Sequence, residues 1–378
     1  MKFKRVLISG GAGFIGSNLA LKLRQKGCRV TVLDSLSSQI HGDNGRSGLF
    51  RSIQGKVAFV RGDVRDKDCW LKTLRGQDAV VHLAADTGTG QSMYEIDRYV
   101  DVNVRGTAAM LDALASRKHR IRKIVVASSR AVYGEGKYRC AGHGVVFPGP
   151  RRESDLARGD FGVKCPRCGK SAKVLRTDEE SRLHPGSVYG MTKRAQEELV
   201  LLTGRALGIP ATALRYQNVY GPGQSMSNPY TGILSIFSTR ILNGNGIDIY
   251  EDGKESRDFV FLEDVIAATV LALEREAAGG EALNVGSDAA TDVMTVAETL
   301  IRGFGGGSSV QVTGRYRIGD IRHNVADLTK TRKILGFAPK FSFQRGVGEF
   351  VRWVKTQKIQ ADRYESSREE LRSRGLFR

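Results

Sequence analysis

The sequence predicts an α/β fold, doubly wound around a parallel sheet, and three observations predict it. The first is the stretch at 4–16, KRVLISGGAGFIG, where the apolar run Val6-Leu7-Ile8 passes into Gly10, Gly13 and Gly16 and then into an amphipathic segment at 14–26. That order is strand, glycine turn, helix. The second is recurrence: apolar runs at 28–33, 57–60, 79–85 and 123–127 alternate with helical patterns at 67–74 and 91–117, as right-handed crossovers into one parallel sheet require. The third is Asp34, an acid ending the second run, about 20 residues past the glycines, where a ribose-binding carboxylate belongs. Together they describe a Rossmann-type sheet.

Each element implies a contact. The G-x-x-G-x-x-G spacing lets backbone approach a pyrophosphate, and the open N–H groups at the helix start, over Gly13, Phe14, Ile15 and Gly16, suit phosphate oxygens. Asp34 can accept from both ribose hydroxyls and repels a 2′-phosphate, which favours NAD over NADP; a plain turn with a surface acid is the alternative. The polar stretch 35–52, with His41, Gly42, Asp43, Asn44 and Gly45, reads as an irregular loop over the cofactor edge, with His41 exposed. Asp63 and Val64 follow the third run at the sheet's C-terminal edge. There Asp63 either meets the adenine amino group or caps the helix at 67–74. The fourth run ends in Leu83, Ala84 and Ala85, small enough for a flat ligand to approach, while His82 within it reads as a satisfied core histidine. Asn103, in the helical pattern 91–117, is expected to bond backbone near the loop beneath a nicotinamide. The fifth run delivers Ser128 and Ser129 to the edge where chemistry belongs.

Tyr189 and Lys193 open a helix predicted to continue through Leu202. Four residues apart, phenol and ammonium share a face, and the cation together with an oxidised nicotinamide is expected to lower the tyrosine pKa from about 10. Such a tyrosine can serve as a general base on a sugar hydroxyl, with Ser129 bonding the same hydroxyl.

The glycine turn, Asp34, the serine pair and Tyr189-x-x-x-Lys193 in this order resemble the extended short-chain dehydrogenase/reductase family, from about residue 3 to 353, and within it the nucleotide-sugar 4-epimerases. The resemblance implies that Tyr216 joins the NAD contacts and that Asn218, in RYQNVYGP, binds a substrate diphosphate. It likewise implies that Arg257, in RDFV, and Arg317 with Asp320, in RIGD, hold the diphosphate and nucleotide. Gln217 stands where those enzymes more usually carry an aromatic. The family's 4,6-dehydratases have an Asp-Glu pair before Val-Tyr-Gly; Arg130-Ala131 stands here, so epimerisation is implied. Tyr189 would then deprotonate the C4 hydroxyl while the hydride moves to tightly held NAD, and the 4-keto sugar would turn over and be reduced on its other face. The segments GQSMYE, SNPYTG and YEDG resemble the branch acting on dTDP-6-deoxy-L-hexoses. UDP-glucose or UDP-glucuronate 4-epimerisation, a net reductase or dehydrogenase, and a non-catalytic NAD-binding or nucleic-acid-binding protein are the rivals.

Between Gly134 and Tyr189 the chain carries Cys140-Ala-Gly-His143 and Cys165-Pro-Arg-Cys168. Two such knuckles offer four ligands for a structural tetrahedral Zn²⁺ with no open position; a degenerate metal-free site and a redox C-x-x-C remain open. The expected organisation is a Rossmann part at 1–134 and 184–225, a zinc-ribbon-like insertion at 135–183, and a smaller C-terminal substrate lobe at 226–356, with a helix at 233–242 and a loop at 227–232. A charged tail completes it at 357–378. That tail mixes signs and reads as a solvated amphipathic helix more readily than as a nucleic-acid arm.

Across 378 residues the formal charge is +19, a statement about association more than about fold. The basic residues are scattered, so nucleic acid is not an expected partner. No run approaches the roughly 18 apolar residues of a membrane span, and no signal-peptide pattern precedes the first strand, so a cytoplasmic protein is expected. The resemblance adds a homodimer through the helices at 91–117 and 187–205.

Overall fold

The computed structural model describes residues 2–42, 44–45, 47–228, 230 and 232–378. The expected loop positions Asp43, Pro229 and Thr231 lie outside these described residues. Seven parallel strands form the central sheet, in the spatial order Glu281–Val285, Ala211–Tyr216, Ile124–Ser129, Ala79–His82, Arg5–Ser9, Arg29–Asp34 and Ala58–Arg61. Strand order reverses beside Arg5–Ser9, which pairs Val6 with Val30 on one side and with Ala79 on the other. A ligand crevice opens at such a reversal, at the C-terminal ends of the strands.

The strands are apolar almost throughout because both faces are covered. On one face Val6, Ile8, Val32 and Val81 pack with Leu19 and Leu23 of the helix Phe14–Gln25 and with Val265 and Leu273 of the helix Leu262–Glu274. On the other, Leu7, Val80 and Val126 pack with Trp70, Met110 and Val200. A second core joins Phe237, Ile249, Phe259, Leu300 and Phe350 in a lobe whose helices are Ile233–Leu242, Val293–Phe304 and Phe343–Val354. Residues between Gly134 and Tyr189 form a small three-stranded sheet, Gly144–Val146, Tyr138–Cys140 and Lys173–Val174 in spatial order, over a core of six buried side chains.

Several expectations need correction. The stretch 35–52 is not an irregular loop: it contains the helices Ser38–His41 and Gly48–Ile53. Ser47 caps the second by accepting from the Phe50 N–H, and Phe50 and Ile53 join the sheet's core; glycines and polar residues hide that spacing. His41 is buried rather than exposed, bonded to Ser47 at 2.7 Å with its Nε2 3.8 Å from Asp34. The helix at 91–117 is broken into a 3₁₀ turn, Gln91–Met93, an α turn, Ile96–Tyr99, a π segment, Val100–Arg105, and an α-helix, Gly106–Ser116. The π segment contains Asn103, whose side chain bonds the Asp86 backbone at both N–H (2.7 Å) and C=O (3.0 Å). Such bulges recur at functional sites.

The tail forms the expected amphipathic helix, but only one face of it is solvated. Its helix, Tyr364–Ser373, buries Tyr364, Arg368 and Leu371 on one face, with Arg368 on Asp248 at 2.7 Å, and Phe377 pairs backbone with Arg317. Residues 364, 368 and 371 follow helical spacing, so the segment docks on the lobe.

Candidate functional site

Gly10 leaves the first strand with φ +68°, and a Cβ there would lie 2.7 Å from the Ala84 nitrogen. A Cβ on Gly16 would come within 2.2 Å of the Gly10 carbonyl oxygen, so the helix starts flush against the turn. Gly13 caps that helix with no side-chain bond, leaving the first N–H groups turned outward. This cradle, which a side chain would fill, fits a dinucleotide pyrophosphate. It opens into a cavity of about 850 Å³ that Asp34, Asp63, Val64, Leu83, Ala84 and Ala85 also line. The Asp34 carboxylate accepts from the Ala12 and Leu36 N–H groups, each at 2.9 Å, which fixes its orientation toward the cavity.

Asp63 does not cap the following helix; Asp66 does, accepting from the Asp68 N–H. Asp63 instead takes two bonds from Arg65, at 2.9 and 2.6 Å, which hold its carboxyl below the usual range. Asn103 is fully buried, with its amide committed to Asp86 and Thr192. It buttresses the loop after the fourth strand. His82 is satisfied between Ser9 and Thr107, at 2.6 and 2.9 Å.

At the cavity's other end the helix Val188–Ala206 begins under a Ser187 cap. A Cβ on Gly190 would meet the Ala131 carbonyl oxygen at 2.6 Å, so this glycine brings the helix start against the turn after Ser129. The Ser129 hydroxyl, which accepts from the Ala131 N–H at 3.1 Å, thereby faces the Tyr189 phenol. Burial pushes that phenol above its ordinary value; the Ser129 hydroxyl and then the Arg130 charge pull the other way. Lys193 lies one helical turn on from Tyr189 and is buried. Its ammonium donates to Gln196 at 2.7 Å, and burial lowers its pKa to about 7, opposed only by Glu197. Glu197 is itself bonded by Arg215 (2.5 Å) and by Ser128 (2.5 Å). The Arg130 charge also bears on the Tyr189 phenol and favours its ionised form.

Arg130 donates through Nε to Asn218 Oδ1 at 2.5 Å and lines the cavity. Burial and the Arg257 charge press its pKa down to about 10, so it is cationic at neutral pH. Tyr216 and Gln217 line the cavity too. The Tyr216 hydroxyl is spent on Thr269 at 2.7 Å, whereas both amide atoms of the buried Gln217 lack a partner among the described residues. Arg257, Arg317 and Asp320 stand outside this lining: Arg257 donates to the Ile321 and Arg322 carbonyls at 2.6 and 2.9 Å, and Arg317 to Asp320 at 2.8 Å. Sequence reasoning passed over Arg130 and Gln217 as site residues. Each stood out in the sequence only as a departure from a family pattern, beside Ser129 and beside Asn218.

The NAD dependent epimerase/dehydratase family matches residues 6–150 and 167–286, the gap falling inside the insertion. A dTDP-L-rhamnose 4-epimerase of Burkholderia thailandensis is 39% identical over 355 residues, 93% of this chain and 95% of that protein. A protein of Methanocaldococcus jannaschii named as a putative UDP-glucose 4-epimerase is 31% identical over 354 residues, 93% of this chain and 98% of the other. Among solved structures, UDP-glucuronic acid 4-epimerase of Bacillus cereus, with UDP-glucuronic acid and NAD, superposes with a TM-score of 0.75 at 25% identity, covering 93% of this chain and 99% of that one. UDP-glucose 4-epimerase of Thermotoga maritima, with UDP-glucose, gives 0.74 at 29% identity, covering 93% and 98%. An isomerase with NAD as its cofactor, the chain belongs to the NAD dependent epimerase/dehydratase family.

Proposed function

We propose that the protein inverts C4 of a nucleotide-diphosphate sugar, with a dTDP-6-deoxy-L-hexose as the first candidate. The observation that carries this is the grouping of Tyr189, Ser129 and Arg130 at the sheet edge without an acid–base pair beside them. Elimination of water would need such a pair, but the carboxylates that line the cavity are engaged: Asp34 by backbone N–H groups, Asp63 by Arg65, and Asp86 by Arg98 at 2.7 Å.

The turn at Gly10, Gly13 and Gly16, with Asp34, would hold NAD, which when bound supplies the acceptor and donor of the C4 hydride. Tyr189 takes the C4 hydroxyl proton and later returns it. Ser129, beside the phenol, bonds the same hydroxyl and orients it. Asn218 and Arg130, tied to each other, meet the diphosphate and let the 4-keto sugar turn about that linkage. Proton NMR of the purified protein with dTDP-L-rhamnose, UDP-glucose and UDP-glucuronate in turn, without added cofactor, tests this. A C4-inverted coupling pattern from dTDP-L-rhamnose is expected. Inversion of only a UDP-sugar would move the substrate to the compounds bound by the structural neighbours, and net NADH turnover would make the protein a reductase.

The same proposal includes a structural Zn²⁺ in the insertion, a homodimer, and a cytoplasmic location without nucleic acid as partner. No helix among the described residues is long and apolar enough to cross a membrane. For the dimer, Ile96 and Val100 are 52% and 43% exposed, and Met191 and Leu202 are 61% and 66% exposed on one face of the helix Val188–Ala206. Apolar exposure on adjacent helices fits a helix-to-helix interface. Leu202→Arg is expected to halve the mass found by light scattering; an unchanged mass would move the interface elsewhere.

A further inference from the structure

The ligand atoms of Cys140, His143, Cys165 and Cys168 all lie within 4.8 Å of one another. The Cys140 sulfur is 3.6 Å from His143 Nδ1 and 3.7 Å from the Cys168 sulfur, and the Cys165 sulfur is 3.6 Å from the same Nδ1. A tetrahedron with zinc bond lengths has edges of about 3.8 Å between sulfurs and about 3.6 Å between sulfur and nitrogen. Three of the six edges already have the lengths a Zn²⁺ ion requires, and the other three are no longer than 4.8 Å. The hydrophobic cluster around these ligands holds six buried side chains, and Cys140 and Cys165 are two of them. So small a core needs a staple.

What the staple holds is not confined to the insertion. Tyr138 shares the strand of Cys140 and donates to Glu135 at 3.3 Å. Glu135 accepts from the Arg322 backbone N–H at 2.9 Å and lies 3.3 Å from Arg151 Nε. Arg151 grips Glu251 with both terminal nitrogens at 2.7 Å and donates to the Asp320 carbonyl at 2.8 Å; Arg322 donates to Glu251 at 2.8 Å. All four charged side chains are buried. Their network fixes the loop that carries Arg317 and Asp320 and whose Ile321 and Arg322 carbonyls orient Arg257. A buried network of this kind transmits position because an unpaired member costs so much.

We infer that Zn²⁺ bound by Cys140, His143, Cys165 and Cys168 positions the nucleotide-binding arm Arg257, Arg317 and Asp320 through the Glu135–Arg151–Glu251–Arg322 network, an inference that rests on the metal and nucleotide-sugar assignments proposed above. Metal content by plasma mass spectrometry and calorimetric titration with dTDP and, separately, UDP test it without relying on turnover. The parent is expected to carry one zinc per chain, and the Co²⁺-substituted protein to show the absorption bands of a tetrahedral thiolate site. Cys168→Ser is expected to lose the metal, retain NAD, and bind the favoured nucleotide about ten-fold more weakly. Arg151→Met is expected to keep zinc and weaken the nucleotide to a similar degree, and it decides the matter should Cys168→Ser not fold. A parent without stoichiometric metal from zinc-supplemented culture would overturn the metal site. Unchanged nucleotide affinity in a zinc-free Cys168→Ser or in Arg151→Met would overturn the coupling. A parent that binds neither dTDP nor UDP would instead remove the nucleotide assignment on which the coupling depends.

Discussion

Tyr189→Phe is expected to lower kcat by about 10³-fold, the usual contribution of a positioned general base, while nucleotide-sugar affinity changes little. The phenol oxygen is the only atom removed, and the ring that lines the cavity stays. NMR turnover and calorimetric binding read the two quantities separately. The phenolate fraction shrinks as pH falls, and burial, by raising the phenol's pKa, sets that loss at higher pH. The parent's kcat is accordingly expected to climb with pH on its acid limb, and the residual activity of the Phe variant to lose that limb. A variant with near-parental kcat would take proton transfer away from Tyr189, and a variant equally slow but with the limb intact would assign the titration to another group.

Much of this was legible in the chain for physical reasons. Val6-Leu7-Ile8 reads as a strand because a parallel strand is apolar on both faces. Tyr189 and Lys193 fall in one helix because periodicity there is uninterrupted, and the helix at 233–242 has the predicted ends. What escaped depends on contacts between distant positions. The helix Gly48–Ile53 is hidden among glycines and shows itself only when Phe50 meets Phe59, ring centroids 4.6 Å apart. A π segment inserts an extra residue per turn that no hydrophobic pattern records. The tail's Tyr364, Arg368 and Leu371 are masked by a composition that reads as solvated. Glu135 and Arg322, 187 positions apart, become partners only once the insertion folds back on the lobe. Lys193 adds a further case: spacing puts it in the helix with Tyr189, but its burial and its bond to Gln196 depend on neighbours that spacing does not show.

Arg130 shows most clearly how a site residue can be missed when read as the absence of something else. Sequence comparison with the dehydratases notes only that no acid stands there. In the fold, its guanidinium bonds a neutral amide, faces the cavity and has no carboxylate within ion-pair distance among the described residues, while the Arg257 charge works against it. A cation so placed gains most from an incoming anion, and the diphosphate supplies one. Arg130→Met removes that attraction and leaves most of the side chain's volume. It is expected to weaken nucleotide-sugar binding by about 2 kcal/mol, roughly thirty-fold in Kd, with NAD retained. It also removes a charge that favours the Tyr189 phenolate, so the phenol's pKa rises and the acid limb of kcat moves to higher pH. Asn218→Ala separates the two effects: it forfeits the amide that holds Arg130 but not the charge, so affinity is expected to fall while the limb stays near its parental position. If Arg130→Met left both Kd and the limb unchanged, neither role would survive, and the diphosphate would have to be held without Arg130, by Asn218 and Arg257.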